Sequence, residues 1–394
     1  MSLNATPSSS RIRIGIFGRR NAGKSTLINA VTGQDLAVVS EVAGTTTDPV
    51  SKAMELLPLG PVVITDTPGI DDVGELGRMR VEKARRELNK TDIAVVAIDG
   101  QTGVTVSDMA LLAIISDKKI PCIAVVTKAD LARPEIPELP FPVVYLSGRT
   151  GENVDRLKEL LAASVSIEEK YLMKDLVKPG DTVILIIPID GSAPKGRLIL
   201  PQQQTIRELL ELGCMTVAVR ETELSEALSK LPEPPALVVT DSQAFRRVAA
   251  EVPEDVRLTS FSILFIRMKG NLKQVAEGAA ALENIADGDK ILISEGCTHH
   301  RQCEDIGTVK LPRWIREYTK KEPVFKWSSG GGFPEDLSEY KLIIHCGGCM
   351  LNEKEIKYRL GCAADAGVPM TNYGILIAYM NGILGRSTNF FEMD

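Results

Sequence analysis

The stretch Arg11 to Val31, RIRIGIFGRRNAGKSTLINAV, decides how the first part of the chain folds. Arg11 to Phe17 alternates and then turns apolar, the pattern of a short strand. It runs into Gly18-Arg19-Arg20-Asn21-Ala22-Gly23-Lys24-Ser25, and Thr26 to Val31 then reads as a helix. Strand, glycine-rich loop and helix in this order form a P-loop. Gly18 and Gly23 permit torsions that turn successive N–H groups into one concavity, where they and the helix N-terminus hold phosphates. Ala22 and Thr26 belong to the same cradle. Lys24 is expected to reach the outer phosphates, and the Ser25 hydroxyl to hold Mg2+.

Further motifs follow in the order expected of a GTPase. Gly44-Thr45-Thr46-Thr47-Asp48 reads as the first switch, with Thr46 at the Mg2+ and among the catalytic residues. The apolar strand Val62-Val63-Ile64 ends in Asp66-Thr67-Pro68-Gly69, where Asp66 and Gly69 are expected beside Mg2+ and the γ-phosphate. After a strand at Ile93 to Ile98, Ile123 to Val126 leads into Thr127-Lys128-Ala129-Asp130. That tetrad resembles the guanine-reading motif: Asp130 would accept from the ring N–H and exocyclic amine, and Thr127 stands where asparagine is commoner. Val143 to Leu146 leads to Ser147 and Gly148, the last base-contacting loop. GTP and GDP are therefore the expected nucleotides.

Over about residues 11–165 these motifs resemble the translation-factor class of GTPases, and within it the TrmE-Era-EngA group. Two residues support the narrower resemblance. Ile70 occupies the place of the water-positioning glutamine of Ras-like proteins, so the hydrolytic water must be oriented another way. Asn21 falls where potassium-activated members bind K+, which makes it a catalytic candidate beside Lys24; asparagine also tolerates a left-handed torsion.

Composition limits what surrounds these motifs. A chain of 394 residues predicts roughly two to three domains. Hydrophobic content of 44% with 25% charged residues describes ordinary globular domains with sizeable cores. The longest apolar runs, such as Val183 to Pro188, are strand-length and far short of a bilayer span, so no membrane is expected. Met1 to Ser10 is serine-rich and uncharged, and reads as a disordered tail on a cytoplasmic protein. A formal charge of -6 and 5% aromatic residues weigh against nucleic acid as a partner.

After a helix at Val154 to Val165, the charged segment Ile167 to Asp181 reads as a linker. Strands at 182–189, 215–219 and 236–240 then alternate with helices at 202–212, 224–231 and 243–252. The pattern indicates a small, mainly parallel α/β domain over residues 175–259. Its one cysteine, Cys214, reads as a core thiol, and its lack of chemistry points to assembly, as a homodimerisation domain or a rigid spacer. The GTPase domain before it is assigned 11–166, and a third α/β domain 260–394.

In that third domain a helix spans Leu272 to Ile285, and two apolar strands stop at ligand-type residues. Lys290 to Ile293 runs to Gly296, Cys297, Thr298 and His299, and Lys341 to Ile344 to His345-Cys346-Gly347-Gly348-Cys349. Both groups thus lie past the carboxyl ends of strands, the edge where parallel sheets bind ligands. Seven unevenly placed cysteines favour metal binding or catalysis over a disulfide framework. Three thiolates with a histidine would close a zinc tetrahedron, and three cysteines would equally hold an iron-sulfur cubane with one open iron. His299 and His345 are candidates for a fourth ligand or for groups behind the ligands. Cys303 is close enough in sequence to compete; Cys122 and Cys362 are spare thiols.

The whole order, a TrmE-Era-like GTPase, a middle α/β unit and a carboxy-terminal Cys-x-His, long spacer, His-Cys-x-x-Cys, resembles the HydF family, the maturation GTPases of iron-only hydrogenases. The resemblance implies a 4Fe-4S cluster on Cys297, Cys346 and Cys349. It further implies a scaffold or carrier role for the di-iron subcluster, received as a precursor cargo through two radical-SAM maturases and delivered to the apo-hydrogenase. Two other readings compete: a tRNA-modification or ribosome-assembly GTPase with a structural zinc module, and a GTPase gated by the redox state of a cluster.

Overall fold

The computed structural model describes residues 10–33, 50–69, 84, 86–165, 170–189, 198–296, 305–330 and 332–392. The chain divides into two compact units, Met1–Glu168 and Glu169–Asp394. Among the described residues no helix is long and apolar enough to cross a membrane.

The first unit contains β1 (Ile12–Gly18), α1 (Lys24–Thr32), β2 (Val50–Leu56), β3 (Gly60–Asp66), β4 (Ile93–Asp99), α2 (Val106–Asp117), β5 (Cys122–Thr127), β6 (Val143–Tyr145) and α3 (Val154–Ser164). The described strands form one sheet ordered β2-β3-β1-β4-β5-β6, parallel except for the edge pairing of β2 with β3. Both faces are covered, which is why β4 and β5 are apolar almost throughout rather than alternating. Ile14, Ile16, Val95 and Val125 pack with Leu27 of α1 and Leu157 of α3, while Phe17, Val96 and Ala124 pack with Leu111 and Ile115 of α2. This is the expected P-loop GTPase domain.

The second unit begins with β7 (Thr182–Ile186), α4 (Leu200–Glu211), β8 (Met215–Val219), α5 (Leu224–Lys230), β9 (Leu237–Thr240), α6 (Phe245–Glu251), β10 (Leu258–Ser260), α7 (Phe261–Lys269) and α8 (Leu272–Ala279). It continues with β11 (Lys290–Glu295), α9 (Leu311–Thr319), β12 (Val324–Ser329), β13 (Leu342–His345), α10 (Glu353–Asp365), β14 (Met370–Asn372), α11 (Tyr373–Met380) and α12 (Leu384–Thr388). Two parallel sheets result, ordered β10-β9-β7-β8 and β12-β11-β13-β14. They correspond to the α/β elements expected before and after residue 260.

One apolar core runs through both sheets, from Leu172 to Phe391. The chain crosses the expected boundary without a linker: β10 ends at Ser260, whose hydroxyl caps α7 by accepting from the Ile263 N–H. The linker reading of residues 167–181 gives way over its described part, residues 170–181, for the same reason. Leu172, Met173, Leu176 and Val177 are buried in the core, and the Leu172 and Met173 N–H groups donate to Glu208. Charged neighbours hid an apolar anchor there. The helix expected over 272–285 is α for its first eight residues and tightens to 3-10 over Ala280–Asn284.

Gly278 shows how closely α8 sits on β14, because a Cβ there would strike the Met370 carbonyl. Gly278→Ala should therefore cost roughly 1–3 kcal/mol, the usual penalty of overpacking. Urea unfolding followed by circular dichroism reads this as an earlier transition of the second unit.

Candidate functional site

Two sites stand at carboxyl ends of parallel strands. In the first unit β1 delivers the P-loop, and the loop closes on itself: the Ala22 N–H donates to the Arg19 carbonyl at 3.3 Å. Asn21 and Gly23 take left-handed torsions, with φ of 59° and 80°. The Lys24 ammonium lies 3.1 Å from the Gly18 carbonyl and 2.7 Å from that of Arg19, at the mouth of the cradle.

Ser25 donates to Asp66 Oδ2 at 3.1 Å, so the two expected Mg2+ partners meet. Burial raises the Asp66 carboxyl above its ordinary range, against the opposing effects of Lys24 and the Ser25 hydroxyl. Among the described residues its other oxygen, Oδ1, is buried without a hydrogen-bond partner, a place that fits a bound cation with its waters. Gly69 is the last described residue before 70–83, and the Thr46 assignment lies outside the described residues.

The residues expected to contact the base line a cavity of about 230 Å3, among them Thr26, Lys128, Asp130, Leu146, Gly148 and Arg149. Asp130 is exposed at its edge. The buried Thr127 hydroxyl lies 2.8 Å from Ala22 O and 3.1 Å from Ile98 O and shares its one proton between them, tying β5 to the P-loop. Lys128, at φ 55°, pairs with Asp99 Oδ2 at 2.7 Å. Burial would raise Asp99, but the bonds from Lys128 and the Gln101 N–H prevail and hold its carboxyl below the usual value. Ser147 is fully buried and accepts from the Thr150 N–H at 3.2 Å, shaping the loop that carries Gly148.

Sequence reasoning missed Asp99, and also the pair Arg19–Asp108. Asp108 Oδ2 accepts from Arg19 Nε at 3.2 Å and from the N–H and hydroxyl of Thr105 at 3.0 and 2.7 Å, anchoring the P-loop to the start of α2. An Asp three residues into a helix reads only as a cap.

In the second unit β11 and β13 are parallel neighbours, with Ser294 opposite His345. Gly296, the last described residue after β11, and Cys346 therefore leave the sheet side by side. The Cys346 N–H donates to Ser294 O at 3.0 Å, and Cys346 Sγ accepts from the N–H groups of Gly296 at 3.1 Å and Gly348 at 3.4 Å. Gly348 has φ 65°, and a Cβ there would come within 2.6 Å of Ile356, so the turn requires glycine. Burial pushes the Cys346 thiol up and that of Cys349 up to about 11.

Backbone N–H groups aimed at a sulfur stabilise a thiolate, and two thiols within one four-residue turn fit a thiolate-held metal group. Among the described residues no group of three or more His, Cys, Asp or Glu is placed to hold a metal ion. The further candidates Cys297, His299 and Cys303 lie outside the described residues; Cys297 directly follows Gly296. Cys122 is a buried strand residue, Cys214 donates to Lys178 O at 3.3 Å, and Cys362 contacts Tyr358 on α10.

His345 stands behind the turn with both ring nitrogens engaged. Arg359 Nη1 lies 3.1 Å from Nε2, and since arginine only donates, Nε2 accepts and Nδ1–H donates to Cys346 O at 2.7 Å. Burial first, then Arg359, drives its pKa down to about 3, so the ring is neutral. Of its two expected roles, this geometry fits the group behind the ligands. Arg359, 1% exposed, is the hub: it also bonds Glu355 Oε1, Ser294 Oγ and Gly330 O.

Comparison with known proteins gives three family models along the chain. A "50S ribosome-binding GTPase" model matches residues 13–128, a "Hydrogen maturase F dimerization domain" 172–270 and a "Hydrogen maturase F tetramerization domain" 273–390. The tRNA modification GTPase MnmE of Heliobacterium modesticaldum is 34% identical over 209 residues, covering 50% of this chain and 40% of that protein. GTPase Era of Nostoc sp. is 30% identical over 176 residues, covering 42% and 54%. The chain thus spans about half or less of these relatives' length. A crystal structure of Era with MgGDPNP and a 16S ribosomal RNA fragment shares 22% identity and a TM-score of 0.37, over 54% of this chain and 94% of that one.

Arg359→Met should destabilise the second unit by roughly 3–5 kcal/mol, because Glu355 is left buried without its cation. Adding Glu355→Leu should return a large part of that loss. A double variant no more stable than the single one, in chemical denaturation, would show that the pairing is not what holds the hub.

Proposed function

Because this chain belongs to the hydrogen maturase F family, whose two consecutive domain models together cover more than half of it, we propose that it is a GTP-hydrolysing scaffold and carrier. Its cargo is the di-iron subcluster of iron-only hydrogenase, received through radical-SAM maturases and passed to the apo-enzyme. Cys346 and Cys349, with Cys297 as third thiolate, hold a 4Fe-4S cluster. The observation that carries the reading is the bond from the Gly296 N–H to Cys346 Sγ, which brings the residue before Cys297 to within 3.1 Å of the other ligand group. A zinc module would use the same thiolates; the two maturase-specific domains favour the cluster.

On the nucleotide side Lys24 and Ser25 act on phosphates and Mg2+, and Asp66 orders the metal's waters. Asp130 reads guanine. K+ at Asn21 supplies positive charge against the β- and γ-phosphates, in place of a glutamine after Gly69. The chain acts as an oligomer, at least a homodimer, in the cytoplasm. A nucleotide can drive cargo release only if the GTP and GDP states differ in affinity for a partner, and a coupling of about 1–3 kcal/mol changes that affinity roughly 5- to 150-fold.

Hydrolysis is expected to be slow, Mg2+-dependent and faster in K+ than in Na+. Lys24→Ala should abolish turnover, and Asn21→Ala should remove the preference for K+; a preference surviving in Asn21→Ala would place the ion elsewhere.

Protein purified without oxygen should contain iron and sulfide. Cys297→Ser, Cys346→Ser and Cys349→Ser should each lose nearly all of it, and Cys303→Ser, Cys214→Ser, Cys122→Ser and Cys362→Ser should keep it. Zinc without sulfide in the wild type would replace the cluster by a structural metal.

A further inference from the structure

Lys269 closes α7 and is 7% exposed, yet among the described residues it has no ion-pair partner. Its ammonium points into the cysteine turn. Nζ lies 2.9 Å from Leu351 O, 3.2 Å from Cys349 O and 3.4 Å from Gly348 O, and 5.3 Å from the centroid of the Phe265 ring. Three carbonyl acceptors match the three N–H bonds of an ammonium; a neutral amine has two.

Burying an unpaired ammonium costs several kcal/mol, so packing alone would favour methionine or leucine at this position. Carbonyl dipoles and the aromatic face compensate part of that cost. The charge-bearing groups that face it are Cys349, Cys346 and Glu353. A cation placed against the carbonyls of a thiolate-bearing turn therefore does two separable things: it orders the backbone, and it lowers the energy of negative charge on the sulfurs.

We infer that Lys269 is a positioning residue of the thiolate site, whose three hydrogen bonds set the turn from Cys346 to Leu351 and whose positive charge favours the reduced state of the group bound there. The electrostatic half rests on the iron-sulfur reading above; the positioning half does not. For a one-electron couple the reduced form carries one more negative charge, and an adjacent buried cation stabilises it preferentially.

Two neutral variants separate the halves. Lys269→Gln keeps N–H donors and loses the charge; Lys269→Met loses both. The full-length protein is first measured without metal, by hydrogen exchange at the Gly348 and Leu351 amides. Exchange should quicken at least tenfold in Lys269→Met and little in Lys269→Gln. Anaerobically reconstituted samples are then titrated with dithionite against mediators. Both variants should show at least a tenfold lower reduced-to-oxidised ratio at a fixed potential, a shift of about 59 mV to more negative values.

Unchanged exchange in Lys269→Met overturns the positioning role. Wild-type and Lys269→Gln samples that both carry iron and share one potential overturn the charge role and leave the iron-sulfur reading intact. A wild type that takes up no iron removes that reading and the charge role together, with the exchange result still deciding the rest. Should Lys269→Met fail to fold while Lys269→Gln folds, the positioning role is upheld and the Lys269→Gln potential decides the charge role.

Discussion

The second unit depends on one register: β11 beside β13, parallel, with Ser294 facing His345. Parallel pairing makes both strands end at the same edge, and their last residues leave the sheet together. A slip of one residue would turn His345 out of its buried pocket and swing Cys346 Sγ away from the Gly296 N–H. The buried Arg359 pins that register from behind, since it reaches Ser294 on one strand and His345 on the other, 3.2 and 3.1 Å away. Lys269 holds the turn that follows through the carbonyls of Gly348, Cys349 and Leu351.

The GTPase domain solves the matching problem with the same geometry. β1, β4 and β5 end at one edge, and the P-loop, Asp99 and the Thr127-Lys128-Ala129-Asp130 tetrad gather there. Thr127 links these pieces by bonding to carbonyls of both β4 and the loop. Loop and base pocket are thereby held as one body, the preorganisation that phosphate binding needs.

Much of this was legible in the sequence because it is local. The P-loop, the order of GTPase motifs and the strands ending in cysteines each declare themselves within ten or so residues, and parallel strands buried on both faces read as apolar runs. What could not be read is carried by charged residues on helices. Lys269 ends an apolar helix and Arg359 sits in the charged stretch Glu353 to Arg359; both look like solvated positions, and their partners lie up to 82 residues away. Likewise the charged run around Tyr171 conceals Leu172, Met173, Leu176 and Val177, which only the folded core reveals as an anchor. Periodicity reports which face of a helix is apolar, and it is silent on a cation buried for its charge.

In the proposed role, the cluster edge of the second unit carries the cargo, and the nucleotide domain biases its release. That role is tested most directly by mixing the protein, isolated from cells containing the radical-SAM maturases, with separately prepared apo iron-only hydrogenase and measuring hydrogen evolution. The carrier account predicts activity that rises in proportion to added protein and disappears with Cys346→Ser. Hydrogenase that stays inactive with fully iron-loaded protein, or activates equally well with Cys346→Ser, would contradict it.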